Sequence, residues 1–159
     1  MPPLPCHRHR CHRPPPLLPP RISSPDAPAQ SNRPRRPCCH LGPERIAASN
    51  TTGLIVRDAY PVTPGHTLII PRRHVGSFFD LTPEERTGLL ALVDETRAGL
   101  ERCHQPQGYN IGINDGPAAG QTVPHLHIHL IPRYIGDQAD PRGGVRWIIP
   151  DKADYWSRR

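Results

Sequence analysis

The clearest pattern of polar and apolar positions in the chain runs from residue 125 to residue 130. Three histidines there alternate with three aliphatic residues: His125, His127 and His129 with Leu126, Ile128 and Leu130. Successive side chains of a β-strand point to opposite faces. The period therefore predicts a strand with the histidines on one face and the aliphatic residues packed into a core. A row of histidines of this kind can bind a metal ion or surround one anionic group.

Shorter apolar runs elsewhere in the chain also predict strands. Residues 46–48 and 54–56 flank a Ser-Asn-Thr-Thr-Gly sequence at 49–53, which favours a hairpin. Residues 67–70 form a third run, which ends at Pro71. Residues 109–114 alternate in polarity and predict a fourth strand, so the histidine segment is the fifth.

A long helix is predicted between the third and fourth strands. Thr82, Pro83 and Glu85 stand where an N-cap residue, a first-turn proline and a capping-box glutamate are expected. Apolar residues then recur at helical spacing as far as Arg102. The short connection between the last two strands favours antiparallel pairing. The predicted fold class is α+β, with the helix on one face of a mainly antiparallel five-stranded sheet.

Composition divides the chain of 159 residues into two parts. Residues 1–37 contain 12 of the 23 prolines and carry a net charge of +6, whereas the remainder is formally neutral. Such a segment cannot bury enough apolar surface to fold, which predicts a disordered tail over 1–37 and one domain over 38–159. Two explanations of this segment are compatible with the sequence: a genuine tail of the protein, and a translation start assigned too far upstream. A nucleic-acid partner is disfavoured because the segment has no aromatic residue to stack on bases.

No apolar run in the sequence approaches the length of a membrane span. The first residues also lack the apolar core of a secretory signal peptide. We therefore expect a cytoplasmic protein without a membrane partner.

The histidine segment resembles the His-x-His-x-His-x-x signature of the histidine triad (HIT) superfamily, in which x is apolar. Gly120, Gln121 and Thr122 match the lead-in to that signature, and residues 64–68 (Pro-Gly-His-Thr-Leu) resemble its upstream histidine loop. Residues 143–147 and 155–156 resemble the carboxyl end of bacterial members. The resemblance covers residues 38–157 and implies a HIT-like fold with one long helix and a short helix.

The resemblance implies a nucleotide hydrolase or transferase that acts at an α-phosphate through a nucleotidyl-histidine intermediate. The middle histidine, His127, is the implied nucleophile, and the backbone carbonyl of His125 is expected to orient it. The implied phosphate-binding residues are His66, Asn114, Gly120, Gln121, Thr122 and His129. Asp58 is expected to accept hydrogen bonds from the ribose hydroxyls. Dinucleoside polyphosphates and nucleoside phosphoramidates both present such an α-phosphate.

Several of these residues also have purely structural interpretations. Asn114 can cap the turn after its strand, His66 can make a structural hydrogen bond in a loop, and Asp58 can be a turn residue. For the whole protein, the alternatives are a catalytically weak nucleotide-binding module and a metal-binding histidine site. The second alternative is disfavoured because the outer histidines of a straight strand would lie about 13 to 14 Å apart.

Related bacterial members carry a structural zinc site, whose ligand positions correspond here to Cys39, His74 and His125. Arg36 stands where the first cysteine of that site is expected. A structural zinc usually has four protein ligands, and this chain lacks one of the thiolates. Cys38 and His40 are alternative candidates for the fourth ligand. A structural zinc is thus a candidate, and no cofactor is expected for catalysis.

The family resemblance also implies partners. A nucleotide is the expected substrate, and a second copy of the chain is expected to complete a homodimer. The helix from Thr82 and the strand around Tyr109 are the segments expected at the interface.

Overall fold

A computed structural model describes residues 41–157, which form one sheet with a long helix against it. The predicted tail over 1–37 and the candidate zinc ligand Cys39 lie outside the described residues. Among the described residues, no helix is both long enough and apolar enough to cross a membrane. The cytoplasmic location expected from the sequence stays a prediction.

The sheet has five antiparallel strands, as the sequence predicted. In chain order they are β1 (Ile46–Ser49), β2 (Gly53–Arg57), β3 (Thr67–Pro71), β4 (Gly108–Gly112) and β5 (Ile128–Arg133). Their spatial order is β1-β2-β3-β5-β4. The last strand in the sequence therefore lies inside the sheet, and β4 forms an edge. All pairings in this sheet are antiparallel, which confirms the predicted α+β class.

The long helix α1 (Pro83–His104) begins at the predicted capping box. The Thr82 hydroxyl accepts a hydrogen bond from the Glu85 N–H at 3.2 Å, and the Glu85 carboxylate accepts one from the Thr82 N–H at 2.9 Å. These bonds satisfy backbone donors that the start of a helix otherwise leaves without partners. A short helix, α2 (Pro150–Ala153), lies near the end of the described range. The expectation of one long and one short helix is confirmed.

One face of the sheet packs against α1 and forms the hydrophobic core. The core contains the three aliphatic residues that alternate with the histidines, together with residues of β2, β3 and α1: Leu126, Ile128, Leu130, Ile55, Ile69, Leu89, Leu92 and Leu100. Because neighbouring side chains of a strand point to opposite faces, burial of Ile128 and Leu130 turns His129 to the face away from α1.

The histidine segment is not one straight strand, which corrects the sequence prediction. β5 begins at Ile128, so His125 and His127 precede the strand. The Leu126 N–H donates to the Val75 carbonyl at 2.7 Å, a contact outside the ladder of β5 with β3. A backbone donor that is used in a loop contact is not available to pair across the sheet, and the strand therefore starts later than the alternating pattern predicts.

The limits of two other elements also differ from the prediction. β4 ends at Gly112, so Asn114 belongs to the connection that follows the strand. The helix continues to His104, beyond the predicted end at Arg102, and stops where Gln105 adopts a left-handed conformation with φ of +49°. A left-handed residue at this position is a common helix ending.

Candidate active site

Two histidines from different parts of the sequence meet on the face of the sheet away from α1. His129 lies in β5, and His66 immediately precedes β3, which pairs with β5. Nε2 of His66 lies 3.0 Å from Nδ1 of His129, which is hydrogen-bond distance. Antiparallel pairing of β3 with β5 therefore brings residues 63 positions apart into direct contact.

The backbone just before His127 orients its ring. Nδ1 of His127 lies 2.9 Å from the carbonyl oxygen of His125. Because a carbonyl oxygen only accepts hydrogen bonds, Nδ1 carries the proton and Nε2 of a neutral ring keeps its lone pair. The ring centroids of His127 and His129 are 4.9 Å apart. In a neutral His127 the nitrogen without a proton is therefore Nε2, and the ring lies next to the pair formed by His66 and His129.

Hydrogen-bond partners also fix the protons of the other two rings. The Val62 N–H donates to Nδ1 of His66 at 3.4 Å. The proton of His66 therefore lies on Nε2 and is donated to Nδ1 of His129. This leaves the proton of His129 on its Nε2 atom. A chain of donors thus starts at the Val62 backbone, which the sequence motif does not single out, and ends at the N–H of His129.

Burial keeps the clustered rings neutral. Desolvation, helped by repulsion from His127 and His66, lowers the pKa of His129 to about 4, although Asp58 opposes this shift. Burial also lowers the pKa of His66 and outweighs the attraction of the Asp58 carboxylate. Both rings are therefore neutral near pH 7, with the single proton each that the donor chain requires.

Asp58 follows β2 and lies beside His66. Its N–H donates to the His66 carbonyl at 3.2 Å, and its Oδ2 atom is 3.5 Å from Nε2 of His66. The other carboxylate oxygen accepts the Tyr60 N–H at 2.7 Å, which is the geometry of an Asx turn. Asp58 is thus a turn residue and also a member of the histidine cluster, and its role in binding ribose stays a prediction.

Gln121 holds the glycine-containing loop that precedes the histidines. Its side-chain oxygen accepts the Gly116 N–H at 2.8 Å, and its side-chain amide donates to the Gly76 carbonyl at 2.8 Å. Both ends of this carboxamide therefore contact backbone groups, whereas the sequence interpretation assigns Gln121 to phosphate. Gly120 in the same loop has φ of +86°, a left-handed conformation that favours glycine.

The remaining candidates for phosphate binding are exposed. Asn114, Gly120 and Thr122 all lie at the surface, in the connection between β4 and β5. Asp115 anchors that connection, because its Oδ2 atom accepts the Phe78 N–H at 2.8 Å and the Ser77 hydroxyl at 3.0 Å. The sequence interpretation gives Asp115 no role of its own. The sequence does contain a sign of this role. Asp115 lies between a predicted strand and a glycine, where aspartate side chains often bond to the backbone.

His125 is buried and packs away from the cluster. Its Nε2 atom lies 3.0 Å from the Pro71 carbonyl, and its ring meets the edge of the His74 ring with centroids 4.8 Å apart. The zinc prediction requires His74 and His125 to be neighbours, and the structure brings them together. The third predicted ligand, Cys39, is outside the described residues. The structure thus places His74 beside His125, and a structural zinc at this position stays a prediction.

A family model for the HIT domain matches residues 43–136, which is more than half of the chain. The chain therefore belongs to the HIT domain family. The matched range contains the histidine cluster, the glycine-containing loop and all five strands.

Relatives of the chain come from a fungus, a plant and a bacterium. The chain is 48% identical over 77 residues to "Bis(5'-nucleosyl)-tetraphosphatase [asymmetrical]" of Schizosaccharomyces pombe, covering 48% of this chain and 42% of the relative. It is 46% identical over 97 residues to "Bifunctional bis(5'-adenosyl)-triphosphatase/adenylylsulfatase FHIT" of Arabidopsis thaliana, and the match covers 61% of this chain and 54% of the relative. The structure of a zinc-bound histidine triad family protein from Mycobacterium smegmatis matches with a TM-score of 0.53 at 33% identity. The match covers 70% of this chain and 86% of that protein.

The chain spans about half of the length of these two curated relatives. Fungal and plant proteins are among its relatives, so the narrower assignment to bacterial members of the family is not supported. The family itself is established by the range that its model matches.

The neutral state of His129 gives a testable prediction. Its ring resonances, followed by NMR and assigned with His129→Asn, should titrate with a midpoint near pH 4, because burial and the neighbouring rings disfavour the charged form. Asp58→Asn removes the carboxylate that opposes this shift, so the midpoint should fall further. A midpoint at the ordinary histidine value of about 6.5 would contradict the lowered pKa of His129.

Proposed function

We propose that the protein is a nucleotide hydrolase that acts at an α-phosphate through a covalent intermediate on His127. The observation that carries this proposal is the bond between Nδ1 of His127 and the His125 carbonyl at 2.9 Å. It fixes the ring orientation and leaves the lone pair on Nε2. A neutral imidazole with a fixed lone pair is a competent nucleophile toward phosphorus near pH 7.

The proposed reaction has two displacements at the same phosphorus atom. In the first, Nε2 of His127 forms a bond to the α-phosphorus while the bond from phosphorus to the leaving group breaks. In the second, water attacks the phosphorus and releases a proton to solvent, the P–N bond breaks, and His127 regains its neutral form as the nucleotide leaves. Splitting one difficult displacement into two easier ones is the advantage of covalent catalysis.

The neighbouring residues are proposed to stabilise the phosphate. The N–H of His129 donates to a non-bridging oxygen, and His66 keeps that N–H in place by donating to Nδ1 of His129. The exposed loop residues Asn114, Gly120 and Thr122 supply further donors, and Gln121 keeps their loop folded. Because these donors belong to the protein, the reaction is proposed to need no metal or other cofactor.

Dinucleoside polyphosphates are the proposed substrate class. Support comes from the relatives, whose names describe a bis(5'-nucleosyl)-tetraphosphatase and a bis(5'-adenosyl)-triphosphatase. A kinetic panel should compare diadenosine triphosphate, diadenosine tetraphosphate and adenosine phosphoramidate in the presence of EDTA. If adenosine phosphoramidate is the best substrate, nucleoside phosphoramidates replace dinucleoside polyphosphates as the substrate class. Nucleotide binding without turnover of any of them would favour the non-catalytic binding module, and activity lost in EDTA would favour a metal enzyme.

The nucleophile is tested by His127→Ala. This variant should lose several orders of magnitude in kcat because the two-step route is no longer available. Nucleotide binding, measured by calorimetry, should persist. His104→Ala is the matched control, since His104 is exposed at the end of α1. If His127→Ala keeps more than about a tenth of the wild-type rate, the covalent mechanism is wrong.

Recognition of ribose is proposed for Asp58. A carboxylate can accept hydrogen bonds from both vicinal hydroxyls, and each such bond contributes about 1.5 to 3 kcal/mol. The wild-type protein should therefore prefer ribonucleotides to deoxyribonucleotides by about tenfold or more in kcat/KM. Asp58→Asn, which keeps the shape but loses the charge, should reduce that ratio. If wild type and variant show the same ratio of kcat/KM for ribo- and deoxyribonucleotides, Asp58 is only a turn residue.

A homodimer is also proposed. β4 is an edge strand, and Ile111 on β4 and Leu90 on α1 are 52% and 53% exposed. The Tyr109 hydroxyl is buried and has no hydrogen-bond partner within the described residues. Pairing of β4 with β4 of a second copy would cover this edge and continue the sheet. Light scattering at micromolar concentration should give twice the chain mass, and a monomer would overturn the proposal.

A further inference from the structure

Three potential metal ligands from three segments of the fold converge in the histidine cluster. Asp58 follows β2, His66 precedes β3, and His129 lies in β5. One donor atom from each lies within 4.8 Å of the other two. The side chains of His66 and Asp58 are only 4% and 14% exposed. The sheet therefore holds the three donors together at a partly buried position.

Two of the three separations match those of ligands around a small divalent cation. Nε2 of His66 is 3.0 Å from Nδ1 of His129 and 3.5 Å from Oδ2 of Asp58. Ligands at about 2 Å from a common ion in tetrahedral geometry are roughly 3.3 Å apart. Two imidazoles and one carboxylate form a donor set that suits Zn²⁺ or Co²⁺, whereas Mg²⁺ prefers oxygen ligands and water.

We propose that Asp58, His66 and His129 bind a divalent transition cation such as Zn²⁺, and that this cation and a ribonucleotide exclude each other. This site is distinct from the structural zinc candidate, which uses His74 and His125. Cation binding does not depend on the proposed function. The exclusion of nucleotide does, because it assumes that Asp58 accepts the ribose hydroxyls and that His129 donates to phosphate.

The cation would replace the hydrogen bond between the two rings. Coordination of Nε2 moves the proton of His66 to Nδ1, where it faces the Val62 N–H at 3.4 Å. That contact lies at the long limit of a hydrogen bond, so its loss costs little. Three protein ligands leave one tetrahedral position open, as in zinc sites that bind an exchangeable molecule. The carboxylate supplies the negative charge that the two neutral rings lack.

Calorimetric titration of the metal-free protein with Zn²⁺ tests the site, and the visible d–d absorption of bound Co²⁺ reports a four-coordinate environment. Asp58→Asn should weaken Zn²⁺ binding about tenfold or more and reduce the Co²⁺ absorption. His74→Ala is the matched control and should leave both signals at this site unchanged. Zn²⁺ binding that is lost in His74→Ala but kept in Asp58→Asn would overturn the proposal, and so would the absence of any binding at millimolar Zn²⁺.

Adenosine monophosphate tests the exclusion. With the nucleotide at saturation, the apparent Kd for Zn²⁺ should rise in proportion to nucleotide concentration, which is the mark of two ligands that share one site. Tighter Zn²⁺ binding with nucleotide present would overturn exclusion. If the metal-free protein does not bind the nucleotide at all, the proposed function fails, and the effect of Asp58→Asn on Zn²⁺ still decides the cation site.

Discussion

Pairing between β3 and β5 is the interaction on which the rest of the site depends. Leu68 lies opposite His129 in this pair, and His66 precedes Leu68 on the same side of the sheet. A shift of register by one residue would turn His129 toward α1 and move Ile128 out of the core. The same alternation that buries the aliphatic residues of β5 therefore also specifies the contact between the two histidines. The backbone hydrogen bonds between β3 and β5 therefore stabilise the core and also position the two histidines.

Local sequence patterns predict much of this arrangement. The capping box at Thr82 and the burial of Leu126, Ile128 and Leu130 depend on residues that are close in sequence, and the structure contains both. The orientation of His127 by the His125 carbonyl is implied by the family resemblance, and the structure contains this contact between near neighbours.

Contacts between distant segments account for what the sequence pattern misses. The start of β5 depends on a bond from Leu126 to Val75, which no alternation of polarity can show. The proton positions in His66 and His129 depend on the Val62 backbone and on the closure of a loop. Gln121 belongs to the family motif, but its two backbone bonds become visible only when residues 76 and 116 are placed in space.

The bonds of Gln121 and Asp115 have a consequence for the energetics of ligand capture. Together they tie the connection between β4 and β5 to residues 76–78 before any ligand is present. A segment that is ordered in advance loses little conformational freedom when an anion binds, whereas ordering a free backbone costs about 1 to 2 kcal/mol per residue. The entropic penalty is thus met during folding, and more of the interaction energy with an incoming anion appears as affinity.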